Sequence, residues 1–170
     1  MKLIILGAGG YGKTVADMAQ QSGRYVEVHF LDDNSTDKRV VGKCSDYINH
    51  IAPDTELYPA FGNNESRLHW LERLESAGAK IPTLIHHTAY VSPEAIVAVG
   101  AVVLPKAIIN TGVMVNRGCI INCGVIIDHG CVIEDCVHIC LGAIVKAENR
   151  IPRCTKVEAG AIVENRMYPI

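Results

Sequence analysis

Two rhythms of apolar and polar positions divide this chain near residue 80. In the first, short apolar runs alternate with amphipathic stretches. KLIIL (residues 2–6) reads as a buried strand, and GAGGYGK leads from it into TVADMAQQSG, a helix ending at Gly23. YVEVHFLDD is a second strand, with Val26, Val28 and Phe30 alternating, and ELYPAFGNN is a third. ESRLHWLERLESAGAK is a helix whose Leu68, Leu71, Leu74 and Ala77 share one side. Strands alternating with helices predict a small parallel sheet in an α/β domain of Rossmann-like type over residues 1–80.

From residue 81 to 170 the period becomes six. An aliphatic residue stands at Ile85, Val91, Val97, Val103 and onward through Val163, fourteen hexads without a slip. Ile, Val and Leu fill 28 of the 84 positions between 85 and 168, so chance would break such a run within a few steps. Four residues after most of these aliphatics comes Ala or Cys, and glycine favours the turn between them. The pattern predicts a stacked β-solenoid with one short strand and one turn per hexad. A coiled coil is excluded by the period. After Val145 the hexads weaken, at ENRIPRCTK. The position before each inward aliphatic should face outward, yet Ile96, Val102, Ile108, Met114, Ile120, Ile126, Val132, Ile144 and Ile162 occupy it. An apolar ribbon of that length predicts cover by partner subunits.

Composition narrows the function classes. The net charge is -2, charged residues make up 20% of the chain, and no Lys/Arg cluster exists, which argues against nucleic-acid binding. The apolar run LIIL near the start is too short for membrane insertion or a signal-peptide core. Seven cysteines, most in one aliphatic tract, do not form a secreted disulfide framework, so the expected location is cytoplasmic.

The chemistry-bearing residues stand out against this scaffold. GAGGYGK has the GxGxxG spacing between strand and helix, where backbone N–H groups face an anion. A tight turn without ligand is the plain reading of the same spacing, and a nicotinamide dinucleotide is a third. Asp32 and Asp33, ending the second strand, could hold ribose hydroxyls or a base. His129 follows the inward Ile127 by two residues and should face outward. Cys119 and Cys131 fall where Ala usually sits, which marks them as core fillers. No CxxC pair supports zinc, so no metal is expected.

The stretches GAGGYGK, FLDD, AFGNNESR, LIHHTAYVSPEA, LPKAIINTG and INCGVIIDHGCVIEDCVHICLGA, across essentially the whole chain, resemble bacterial hexapeptide-repeat sugar acyltransferases. The resembling branch includes the sialic acid O-acetyltransferases and the N-acetyltransferases of nucleotide-linked 4-amino sugars. The resemblance implies a left-handed β-helix of three hexads per coil, a homotrimer with active sites between adjacent solenoids, and acetyl-CoA as co-substrate. It implies that Gly9, Gly10, Tyr11, Asp32, Asp33 and Gly62 contact a nucleotide-sugar, with Asn63, Asn64 and Arg67 as further candidates. His129 matches the catalytic base, flanked by Asp128, and Asn122 is placed to position the acceptor. His138 and a backbone N–H near Gly142 would serve the acetyl-CoA. The acid that relatives carry after the base is replaced here by Gly130, leaving Asp128 and Asp135 as neighbouring carboxylates.

The chemical requirement fits. A sugar amine or hydroxyl is a weak nucleophile until a base removes its proton during attack on a thioester, work suited to an imidazole. The expected function is acetylation of an amino or hydroxyl group of a nucleotide-activated sugar for surface glycan synthesis. The alternative is a catalytically weak nucleotide-sugar-binding or assembly subunit of the same fold, which a titration with acetyl-CoA separates from the enzyme.

Overall fold

The computed structural model describes residues 1–169, which fall into two compact units, one from Met1 to Pro82 and the other beginning at Thr83. The first contains β1 (Lys2–Leu6), α1 (Gly10–Gln21), β2 (Glu27–Leu31), β3 (Val40–Gly42), a 3-10 segment (Cys44–His50), β4 (Thr55–Pro59) and α2 (Asn64–Ser76). Its sheet has the order β3-β2-β1-β4, all parallel. β1 is central and Leu3, Ile4, Ile5 and Leu6 are all buried, which is why KLIIL is apolar on both faces; Leu6, Leu31, Leu57 and Leu74 meet in one apolar cluster.

Two sequence expectations shift here. Val26 is 80% exposed because β2 begins only at Glu27. Ala77 is exposed because α2 has closed its last turn at that residue. The edge strand β3 is additional, and its three residues are too few to carry a period. Arg67, fully buried, donates to the Phe61 carbonyl and to Asn64 Oδ1, so its guanidinium is held within the unit.

The second unit is a three-sided parallel solenoid of two-residue strands. One side stacks β5 (Leu84–Ile85), β8 (Val102–Val103), β11 (Ile120–Ile121), β14 (His138–Ile139) and β17 (Lys156–Val157). A second stacks β6 (Tyr90–Val91), β9 (Ile108–Ile109), β12 (Ile126–Ile127), β15 (Ile144–Val145) and β18 (Ile162–Val163). The third stacks β7 (Ile96–Val97), β10 (Met114–Val115), β13 (Val132–Ile133) and β16 (Arg150–Ile151). Each strand pairs with the one eighteen residues away, as in Ile127↔Val145, so three hexads complete one coil.

Every second strand residue points inward, and Val103 to Val163 form one continuous core with the small residues between them. Ile85 is the exception at 46% exposure, since it lies in the first coil at the end of the stack. The weakened hexads after Val145 nonetheless keep register, with Ile151, Val157 and Val163 buried. Of the outward ribbon, Val102 and Ile120 are already fully buried within the chain. The unpartnered part is therefore confined to the other two sides, where Tyr90, Ile96, Met114 and Ile162 are 44–59% exposed.

Asn149 stands where the repeat mostly puts Ala or Cys, and it is fully buried. Its amide nitrogen donates to the carbonyls of Lys146 (2.8 Å) and Glu164 (2.9 Å), and its Oδ1 accepts from the Tyr168 N–H (2.9 Å). One side chain thus ties the last strand and the terminal segment to the coil above. Asn149→Ala strips partners from buried backbone groups and is expected to cost about 3 kcal/mol. Chemical denaturation should show this as a lower midpoint with an unchanged slope.

Candidate active site

In the first unit the chain turns from β1 into α1 at Gly9, which precedes the helix in extended conformation with no side-chain cap. The first N–H groups of the helix therefore have no intrahelical acceptor. A Cβ added at Gly12 would lie 2.0 Å from the Gly7 carbonyl oxygen, so the helix can pack this close to the strand only with glycine there. At Gly9, Gly10 and Gly62 an added Cβ would meet nothing within 4 Å; those backbones border open space. The amides of the first helical turn are thus left without a side-chain cap beside open backbone.

The carboxylates beside it have structural duties. Asp32 Oδ2 accepts from the Ala8 N–H (2.7 Å), and Oδ1 accepts from the N–H groups of Asn34 and Ser35. Burial works against its charge, yet these bonds hold the carboxyl below its usual range. Asp32 thus fixes the shape of the Gly-rich loop. Asp33 Oδ1 accepts from the Cys44 N–H. The Tyr11 and Tyr58 hydroxyls lie 2.7 Å apart, and burial, reinforced by Tyr58, raises the Tyr11 phenol well above its ordinary pKa. Tyr58, on the neighbouring β4, was not singled out by the sequence.

In the solenoid the residues separate onto different sides. His129 occupies the turn between β12 and β13, and its side chain is exposed. Its backbone is pinned: the N–H donates to Asp128 Oδ1 (2.7 Å), and the carbonyl accepts from the Glu148 N–H one coil below (3.2 Å). Asn110, one coil above, donates to the same Asp128 oxygen at 3.3 Å. Asp128 therefore shapes the turn that carries the imidazole. Asp135 instead pairs with Arg117 at 2.8 Å. A Cβ at Gly130 would face Glu148 Cγ at 3.9 Å, and Glu148 is itself ion-paired to Arg166 (2.6 Å).

His138 is the outward residue of β14, on the side opposite the His129 turn. Asn122 Nδ2 lies 3.1 Å from His138 Nε2, within hydrogen-bond reach of the ring. The two histidines are thus separated, within one chain, by the aliphatic core of the solenoid. Asn122 and His138 are brought together; His129 is not brought to them.

The Gly142 N–H is committed to the Cys123 carbonyl at 2.9 Å, so it cannot also take a thioester oxygen. At the His129 turn the equivalent residues one coil above and below are Thr111 and Ala147, and neither N–H has a hydrogen-bond partner among the described residues. Cys119 and Cys131 donate to the core-facing carbonyls of Glu134 (2.9 Å) and Lys146 (3.2 Å), and burial raises the Cys131 thiol. They are packing residues.

Comparison with known proteins places this architecture. The family model described as the PglD N-terminal domain matches residues 2–74. The acetyltransferase domain of PglB from Neisseria gonorrhoeae is 36% identical over 97% of this chain and 83% of its own, with a TM-score of 0.93. The same domain in complex with acetyl coenzyme A matches equally, with a TM-score of 0.92. PerB from Caulobacter crescentus, solved with CoA and GDP-perosamine, shares the fold at 22% identity, a TM-score of 0.73, and coverage of 100% of this chain and 92% of its own. The solenoid is accordingly a left-handed β-helix, and the chain belongs to the hexapeptide-repeat sugar acetyltransferases, the family of the PglB acetyltransferase domain.

Proposed function

We propose that the protein transfers the acetyl group of acetyl-CoA to an amino or hydroxyl group of a nucleotide-activated sugar, in the cytoplasm and for surface glycan synthesis. The observation that carries this reading is the exposed His129, held by a fixed turn on a PglB-like β-helix. The Gly-rich loop supplies amides for the nucleotide's phosphates, with Gly9, Gly10 and Gly62 offering the open backbone. Asp33 and Tyr11 contact the substrate, and Asp32 keeps the loop in shape.

His129 acts as general base. It takes the proton from the sugar nucleophile as that atom attacks the thioester carbonyl, and CoA leaves as its thiol. Transfer is direct, without an acyl-enzyme. The negative charge that develops on the carbonyl oxygen needs a preorganised donor. Ala147 suits this task, because it shares the His129 corner and carries a smaller side chain than Thr111 above. Asn122 and His138 form a second polar pair that holds acetyl-CoA.

A homotrimer joins the two halves of the site. Head-to-tail packing around a threefold axis sets the His129 corner of one copy against the His138 side of the next. The exposed apolar rows around Tyr90, Ile96, Met114 and Ile162 support such packing. The test is release of CoA thiol from acetyl-CoA against a panel of amino-sugar nucleotides and their sugars. Turnover with one nucleotide-linked acceptor is expected. Binding of such a sugar without binding of acetyl-CoA at millimolar concentration would instead favour the assembly-subunit reading.

A further inference from the structure

From Gly100 to Arg166 the second turn residue of each hexad adopts a left-handed backbone, and at the corner preceding β8, β11, β14 and β17 the stacked residues are Gly100, Gly118, Cys136 and Cys154. Their φ angles are 72°, 67°, 54° and 57°. Glycine adopts this conformation without penalty, whereas a side chain crowds the backbone. Two consecutive coils therefore accept that crowding, and both do so with cysteine.

We propose that Cys136 and Cys154 form a reversible disulfide that ties the coil carrying His138 to the coil below it. The register supports the pairing. β14 and β17 align His138 with Lys156, so the residues two positions earlier stack directly. The backbone repeats the same bond at each level: the Cys136 N–H donates to the Arg117 carbonyl (2.9 Å), and the Cys154 N–H donates to the Asp135 carbonyl (3.0 Å). Stacked parallel strands lie about 4.8 Å apart, which falls within the Cα separation a disulfide spans. Of the seven cysteines, only this pair is eighteen residues apart, one full coil. All seven are thiols in the structure.

Burial assigns the order of reaction. Cys154 is partly exposed and Cys136 fully buried, so a peroxide meets Cys154 first. The Cys154 sulfur attacks the peroxide O–O bond, giving sulfenic acid and water. The Cys136 thiol then attacks that sulfur; the S–S bond forms, and the sulfenic oxygen leaves as a second water. The peroxide is reduced by two electrons, and the two thiols are oxidised. A dithiol reductant restores both thiols by exchange.

The experiment treats the reduced protein with equimolar hydrogen peroxide and follows intact mass, thiol titre and peptides. Loss of two of the seven thiols is expected, reversed by dithiothreitol. Trypsin should then release peptide 154–156 linked to peptide 118–146, which holds Cys136. The oxidised protein should unfold several degrees higher than the reduced one, because the cross-link closes a loop across one coil. The control is Cys154→Gly, which installs the residue used two coils above and so keeps the fold. It should lose both the cross-link and the thermal shift. A link confined within peptide 118–146, as between Cys123 and Cys140, would overturn the proposal. So would stable over-oxidation of Cys154, two-thiol loss persisting in Cys154→Gly, or no reaction.

Discussion

Replacing His129 by alanine is expected to lower acetyl transfer by roughly 10²–10⁴-fold, the usual contribution of a positioned general base. Thermal stability should stay unchanged, because the side chain is exposed and makes no hydrogen bond among the described residues. The turn persists without the imidazole, since Asp128 Oδ1 and the Glu148 N–H hold only its backbone. The loss should fall in kcat, and binding of acetyl-CoA measured by calorimetry should survive. Transfer within a few-fold of the parent would remove His129 from the role of base.

The second large effect is expected at Ala147. Ala147→Pro deletes one N–H and nothing else that the turn requires. Pro93 occupies the equivalent turn position at the same corner, three coils above, so the backbone there accepts a proline ring. The preceding Lys146 follows directly on β15, where the extended conformation that proline imposes on its predecessor is already the rule. Removing a single oxyanion donor lowers kcat by roughly 10²–10³-fold. Ala147→Gly, which keeps the N–H, should remain close to the parent. If both variants retained activity, the oxyanion donor would lie elsewhere.

These two residues show how far the sequence could be read. The six-residue period of inward aliphatics was plain from Ile85 to Val163, because each strand is two residues long and only one of them faces the core. What a six-residue period does not state is the number of hexads per coil. That number, three, decides which side chains stack eighteen residues apart. Asn110 above Asp128 and Ala147 below His129 become neighbours only then. Gly142 was drawn toward the site by resemblance, and its ladder bond to Cys123 was invisible without the coil.

In the first unit the Gly-rich loop was legible from spacing, and the structure gives Gly12 a packing reason and Gly9 and Gly10 an open face. Asp32 was legible as an important carboxylate but not as a brace for the loop. That duty depends on the Ala8, Asn34 and Ser35 amides converging on it from two segments. Arg67 is a similar case. The resemblance offered it as a further substrate contact, whereas its guanidinium is buried and donates to the Phe61 carbonyl and to Asn64 Oδ1.

A site shared between copies can be probed by subunit mixing. His129→Ala carries a dead base, and an Asn122→Ala/His138→Ala double variant lacks the acetyl-CoA pair. The two are co-expressed with different tags, and mixed trimers are isolated by successive affinity steps. In a head-to-tail trimer of either mixed composition, one interface joins an intact His129 to an intact His138. Mixed trimers should therefore recover about one third of the parent rate, far above either variant alone. Activity in the mixed trimers no higher than the variants' own residual rates would place the whole site within a single chain and contradict this account.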